Sequence, residues 1–425
     1  MTLSPRRSPF WPVFMDPVLR KVIPAVCVSD LGDAMSLVAI SWLAIELAPP
    51  DLQALWVSVA LAANALPSVA GLLLFGRWLR GRSGAQLAGW EAALRAVCLG
   101  AVPIMYFAHV LTLPVFVLAL ALSSVLTAWG NAGRFLVFTE SLPAEHYVTA
   151  NAVSTTATEL STIFGPLAAA AVIAWIGPAG SIGVDAATCA VLALTYRVAV
   201  PKRGSVQQSD TKGFSVIWRK PKLLGLMGLT IGYYVLYGPV LVALPVHVAV
   251  DLHQSAATLA LYFTVFGVGS VTGGILTPFL RTLPVWPIMI GTVFLFGLAL
   301  APLGVDAPSV VALVGFALGG LFWAPYVPIL TAMFQKEASP AVMAARGAFG
   351  MASTPFGALV GGPLVAVLGA QATLLMCAVG TMALALVAAA IVLARRNGVA
   401  EPEPRRVTEP PTTHPTVPSR SPANP

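Results

Sequence analysis

Charge is what this chain has least of. Of its 425 residues only 10% are Asp, Glu, Lys or Arg, while 57% are hydrophobic, and the mean hydropathy is +0.84. A soluble globular protein is about a quarter charged, so a soluble fold is excluded as the main architecture. Cysteine is scarce too: Cys27, Cys98, Cys189 and Cys377 sit singly in apolar stretches, without metal-site spacing, and read as small buried hydrophobes. No Gly-x-x-x-x-Gly-Lys-Ser/Thr occurs and no soluble stretch is large enough to hold a nucleotide, which disfavours an ATP-driven pump. His247 and His253 have no carboxylate or cysteine companions at ligand spacing, so no metal is expected. Neither catalysis nor a cofactor is expected.

What is present is a series of long apolar runs. About 20 apolar residues cross a bilayer core as a helix, and the runs predict twelve crossings, numbered spans 1 to 12: Val22–Leu47, Leu55–Gly76, Ala85–Phe107, Leu113–Phe138, Thr149–Ile176, Ala179–Val200, Leu223–Val250, Ala256–Leu280, Val285–Val305, Val310–Phe334, Ala341–Leu368 and Ala372–Ala394. Apart from Arg95, the Lys and Arg residues fall in alternate connections, as in Arg77–Arg82 and Arg197–Lys222, and the other connections carry none. Positive loops stay on the cytoplasmic side. The chain therefore reads as a multi-pass protein of the cell membrane with both termini cytoplasmic. The net charge of +7 suits anionic lipid headgroups rather than nucleic acid. The first run is too long and too acidic for a cleavable signal.

The fold class expected is an all-α polytopic membrane protein, twelve transmembrane helices in two six-helix pseudo-repeats. The domains are a cytoplasmic segment 1–21, a bundle 22–200, a basic linker 201–222, a second bundle 223–396 and a Pro-rich tail 397–425 expected to be disordered. Gly165, Gly177, Ala186 and Leu192 match Gly357, Gly369, Ala378 and Leu384 at one constant offset. With the central linker this supports parallel repeats, an arrangement of secondary transporters.

Six charges lie where charge is costly, at about 2.5–3.5 kcal/mol each near the bilayer centre: Asp30, Asp33, Glu91, Arg95, Glu159 and Asp185. Asp33, Arg95 and Glu159 sit near the midplane, Asp33 roughly 15 Å in from the cytoplasmic end of span 1. Glu91 and Arg95, four apart, can pair on one helix face; alternatively Arg95 serves Asp33 or Glu159. Asp30 and Asp33 share a face and suit reversible proton carriage. Glu159 has no partner in its own helix and must find one across the bundle or be protonated. Asp185, in the outer half of span 6, reads as capping or hydrogen-bonding neighbouring helix backbone, or else as a member of the charge network with the other five.

The second half has no charge well inside a span and carries aromatics instead. Trp42, Asn64, Tyr233, Tyr234, Tyr237, Trp323 and Tyr326 are the candidate cavity residues, and Phe263 and Phe266 in span 8 and Phe322 in span 10 are further aromatics of the second half. Tyr233 and Tyr237 are one turn apart and can line one wall. Gly165-Pro166 in span 5 and Gly357 and Gly361 in span 11 permit close helix approach, or a rocking interface.

Several of these residues carry a resemblance. Ser29-Asp30-Leu31-Gly32-Asp33 followed by Val38-Ala39-Ile40-Ser41-Trp42-Leu43, then Leu94-Arg95-Ala96, Pro143-Ala144-Glu145, Ala150-Asn151-Ala152, Gly165-Pro166 and Asp185-Ala186 resemble the major facilitator superfamily, in its branch of drug, macrolide and siderophore exporters. The resemblance implies alternating access and proton-driven export of amphipathic molecules, with Asp33 in the place of a helix 1 coupling acid and Gly165-Pro166 at the start of the antiporter motif. It also shows departures. Arg80 stands where the loop between spans 2 and 3 normally has an aspartate that helps hold a gate, Ala168-Ala169 replaces a glycine pair, and span 4 lacks a mid-membrane basic residue, Arg134 lying near its cytoplasmic end.

The first expectation is thus a monomeric, proton-coupled exporter of a small amphipathic molecule such as a drug, antibiotic or secondary metabolite. An importer of the same architecture and a non-transporting membrane sensor are the alternatives.

Overall fold

The computed structural model describes residues 13–200 and 218–397, apart from 14, 80, 144–145, 283, 306 and 338–339. Residues 1–12, most of the basic linker, the Pro-rich tail and Arg80 lie outside the described residues, as does the side chain of Glu159.

Among the described residues every regular element is helical. Ten helices among the described residues are long and apolar enough to cross a membrane. One of them is double. The helix Tyr147–Ala199 would run about 80 Å if straight, far beyond a bilayer, but Gly177 turns it with φ 75° and ψ 174°. It supplies spans 5 and 6. Gly369 does the same with φ 85° between Pro340–Leu368 and Ala370–Asn397, spans 11 and 12. These left-handed turns cost glycine nothing, and they occupy equivalent positions of the two sequence repeats. Counting the shorter apolar helix Ala352–Leu368 inside span 11, the crossings come to twelve.

Three spans are broken near mid-membrane. Span 2 is Gln53–Ala63 followed by Pro67–Leu74, span 4 is Leu113–Ser124 followed by Thr127–Ser141, and span 10 is Ser309–Trp323 followed by Tyr326–Glu337. A break in lipid leaves backbone groups that something must satisfy. Ser124 does so for span 2, its hydroxyl donating to the Ala63 carbonyl at 2.9 Å.

Within each half the repeat glycines set the packing. Gly165 lies against Ala34 of span 1, and Gly357 against Val235 of span 7 (Pro221–Val246). Where the halves meet, Gly362 of span 11 rests on Ser58 and Ala54 of span 2, and Gly267 of span 8 (Ala256–Leu276) on Ile163 of span 5.

The apolar core shows where the halves join. One cluster runs continuously through both, taking from the first half Met35–Ile45, Val57, Leu61, Leu99, Val102, Phe116 and Ile182. All of these lie toward the charge-poor face. At the opposite, basic face a second cluster of Leu19, Val22, Val26, Ala88, Val137, Phe138, Leu192 and Tyr196 belongs to the first half alone. The halves therefore share a core toward the charge-poor side, while on the basic side the first half keeps a core of its own. Thr158 and Thr162, four residues apart on one face of span 5, are exposed, as are Leu160, Phe164 and Leu167 on another face.

Candidate functional site

Two arginines organise the buried charge of the first half. On span 1 (Leu19–Leu47), Asp33 receives a two-pronged interaction from Arg95 of span 3 (Gly84–Phe107), with Nη1 at 3.0 Å from Oδ2 and Nη2 against Oδ1. The same guanidinium lies 3.5 Å from Asp185 of span 6 and 3.7 Å from Glu91, one turn earlier on its own helix. Three carboxylates thus share one arginine. Gly32 makes this possible, because a methyl group there would lie 2.8 Å from Asp185 Oδ1 and 3.1 Å from its Cα. Gly130 of span 4 likewise makes room for Glu91.

Asp185 is fully enclosed, and span 1 gives it a second partner: the Ser36 hydroxyl donates to Oδ2 at 2.6 Å, and Cys189 approaches Oδ1 at 3.7 Å. The expectation that Asp185 caps backbone is corrected. Span 6 brings it level with Asp33 and Arg95, and its oxygens are taken by side chains. Asp33, Asp185 and Cys189 present ligand atoms within 4.8 Å of one another, but the cation already seated against both carboxylates is the Arg95 guanidinium.

Asp30 belongs to a separate network. Arg134 of span 4 donates to Oδ1 at 2.7 Å and Thr158 of span 5 to Oδ2 at 2.8 Å. The two aspartates that share a face of span 1 therefore each hold their own arginine. Side-chain exposure separates them further: 35% for Asp33, 6% for Asp30 and none for Asp185. Asp33 alone combines a buried counter-ion with an open side.

The second half gathers its aromatics at the break in span 10. Tyr233 is enclosed by Tyr326, Trp323, Phe296 and Tyr234, with ring centroids 5.0, 5.0, 5.1 and 6.0 Å away. Tyr234 stacks on Trp323 at 5.3 Å and Tyr237 sits 4.9 Å from it. The Tyr326 hydroxyl donates to Thr230 Oγ1 at 2.9 Å, since that hydroxyl is itself donating to the Leu226 carbonyl. Among the described residues Tyr233 has no hydrogen-bond partner for its buried hydroxyl. Tyr233 and Tyr326 are thus core, while Tyr234, Tyr237 and Trp323 keep part of their surface open.

The comparisons with known proteins agree with this architecture. The sequence profile of the Major Facilitator Superfamily matches residues 22–326 and 234–423. The chain belongs to that superfamily. An uncharacterised MFS-type transporter, y4rN of Sinorhizobium fredii, is 25% identical over 249 residues, which is 56% of this chain and 62% of that protein. This chain spans less than two thirds of that relative's length. Among solved structures, a D-xylose-proton symporter aligns at TM-score 0.67 and 13% identity over 87% of this chain and 96% of its own. A POT family transporter in complex with a thioalcohol-conjugated peptide aligns at 0.68 and 10%, over 89% and 96%. A bacterial homologue of the human lysosomal transporter Spinster, inward-facing and unoccupied, gives 0.66 and 12%, also over 89% and 96%. At these identities the solved structures establish the fold.

The superfamily frame places the remaining candidates. Trp42 is half-buried in the shared apolar cluster toward the charge-poor end of span 1, and Asn64 is half-buried at the break in span 2. Neither joins the charge cluster or the aromatic group. Pro166, Gly165, Gly357 and Gly361 are buried at helix contacts, Gly361 against Pro239 and Val242 of span 7. His247 does have a carboxylate companion, contrary to expectation: Asp251, one turn on in the π-helix His247–Asp251, at 2.7 Å. Arg134, Ser36, Thr158 and Phe296 were not anticipated as site residues. Arg134 was legible as an arginine in the same membrane third as Asp30.

Proposed function

We infer that this member of the superfamily is a proton-coupled exporter of amphipathic small molecules, working as a single chain in the cell membrane with its basic face toward the cytoplasm. The observation that carries the reading is the cluster around Arg95. Three carboxylates share one guanidinium, and Asp33 has the most exposed side chain of the three; we read that open side as facing a cleft between the halves that opens on the basic side. With all groups ionised the cluster carries two surplus negative charges, and burying unpaired charge is costly. A proton arriving on Asp33 releases Arg95 toward Asp185 and Glu91, both already within 4 Å. That exchange of partners is a two-position device linking span 1 to spans 3 and 6, and it supplies what a proton must do to bias two conformations.

The substrate, in this reading, meets the open faces of Tyr234, Tyr237 and Trp323 across the cleft. Flat, partly apolar molecules are the class those rings recognise. The test is flux of fluorescent amphipathic dyes in proteoliposomes of defined orientation, with and without a protonophore. Export should collapse when the proton gradient does, and Asp33→Asn should retain binding while losing gradient dependence. Gradient-insensitive flux, or Asp33→Asn and Glu159→Gln variants that each stay fully active and still proton-dependent, would defeat the coupling assignment. Counterflow in the same vesicles reads the direction of transport.

A further inference from the structure

Away from the cleft, spans 3 and 6 form a groove of about 500 Å³ at the basic face. Its floor is the small-residue row Ala85, Gly89 and Ala93 of span 3, and Ala193 and Tyr196 of span 6 close the far wall. A Cβ at Gly89 would already touch Tyr196 Cβ at 3.4 Å, so the groove exists because that position has no side chain. At its mouth stand Gln86, Trp90 and Arg197. The Arg82 guanidinium lies over the Trp90 ring at 5.4 Å. Among the described residues neither Arg82 nor Arg197 is paired with a carboxylate, and both are exposed.

We propose that this groove is a binding site for one anionic diacyl phospholipid of the basic-side leaflet. The headgroup phosphate sits between Arg82 and Arg197, and one acyl chain lies along the floor. The chemistry agrees at each level of depth. Two unpaired arginines offer fixed positive charge at headgroup height, where each attracts anionic lipid by about fivefold in affinity. Trp90, 42% exposed, sits at the interface where amphipathic rings are favoured. From Ala85 to Ala93 the apolar floor descends about 12 Å, the depth an acyl chain fills. Spans 3 and 6 hold Arg95, Glu91 and Asp185, and Tyr196 belongs to the first half's basic-side cluster. A lipid seated there braces the two helices behind the charge cluster.

Native mass spectrometry of the full chain, titrated with phosphatidylglycerol and with phosphatidylcholine of the same acyl chains, tests this. The wild type should take up one phosphatidylglycerol at least about tenfold more tightly than phosphatidylcholine. Arg82→Gln with Arg197→Gln should weaken phosphatidylglycerol about 25-fold, at fivefold per arginine, and leave phosphatidylcholine unchanged. Gly89→Leu should weaken both lipids by filling the floor. The control Arg20→Gln with Lys21→Gln removes two exposed charges of the same face and should change nothing. Equal losses in the control would mean diffuse attraction and would overturn the site, as would a wild type that does not distinguish the two lipids. Should Gly89→Leu fail to fold, the arginine pair, exposed and unpaired, still decides.

Discussion

Removing either end of the Asp33–Arg95 pair should have unequal consequences, and the inequality measures the shared guanidinium. At an effective dielectric of about 20, unit charges 3.5 Å apart, the Arg95–Asp185 separation, attract by about 5 kcal/mol before desolvation is subtracted. Deleting one partner of a buried pair typically costs about 3–5 kcal/mol because the other is stranded. Arg95→Met strands Asp33, Glu91 and Asp185 together, so the upper part of that range applies. Asp33→Asn strands nothing: Arg95 keeps Asp185 at 3.5 Å and Glu91 at 3.7 Å, and Asp33 is already one-third exposed, so about 1–2 kcal/mol is expected. The double variant should therefore cost less than the two singles combined, with a coupling of about 1–2 kcal/mol. Reversible unfolding in mild detergent, followed by tryptophan fluorescence, gives the four corners of the cycle. If Arg95→Met proves no worse than Asp33→Asn, or the effects add within about 0.5 kcal/mol, then Arg95 is not the common counter-ion and the partner-exchange mechanism has no basis.

The other expectations are smaller and sharper. Tyr233→Phe removes a buried hydroxyl that has no partner, so its stability should be unchanged or slightly raised, whereas Tyr326→Phe breaks the bond to Thr230 and should cost about 1 kcal/mol in the same assay. Gly362→Val places a methyl 2.8 Å or less from Ser58, and should pry apart the seal on the charge-poor side. Labelling of a Thr162→Cys variant by an impermeant thiol reagent from the basic side should then fall several-fold; unchanged labelling would mean the Ser58 contact is not part of the seal. Gly130→Ala intrudes on Glu91 at 2.7 Å from its Cβ, and a circular-dichroism melt indistinguishable from wild type would refute the tight approach of spans 3 and 4.

The sequence shows some of this plainly and some of it not at all, for separable physical reasons. Twelve crossings are legible because loop charge is a topological signal independent of helix geometry, and it alternates cleanly along this chain. The breaks in spans 2, 4 and 10 are not, because each span is long enough to read as one continuous crossing; Pro67 and Pro325 are the local cues in spans 2 and 10, and a serine pair such as Ser123-Ser124 does not by itself break a helix. Ion partners are legible only within a helix. Glu91 with Arg95 follows from four-residue spacing, but Arg134 reaching Asp30 depends on where spans 1 and 4 sit side by side. A long arginine stem also lets a guanidinium act away from its own Cα. Tyr233, Tyr234 and Tyr237 illustrate the same limit. Their spacing marks one wall, yet nothing in an all-apolar helix says which ring turns to the core, and it is Tyr233, not its neighbour, that does.

The asymmetry between the halves is itself an argument about mechanism. In the function proposed, the titrating element and the surface that grips the substrate sit in different bundles. Among the described residues the ion pairs of Asp30, Asp33 and Asp185 lie in spans 1, 3, 4 and 6, and the aromatic group in spans 7, 8, 9 and 10. The two meet only through contacts between halves such as Gly267 on Ile163 and Gly362 on Ser58. Any coupling between proton and cargo must therefore pass through the relative position of the bundles. It follows that a cross-link holding Gly362 against Ser58 should abolish flux while leaving both proton binding and dye binding measurable in the same locked protein.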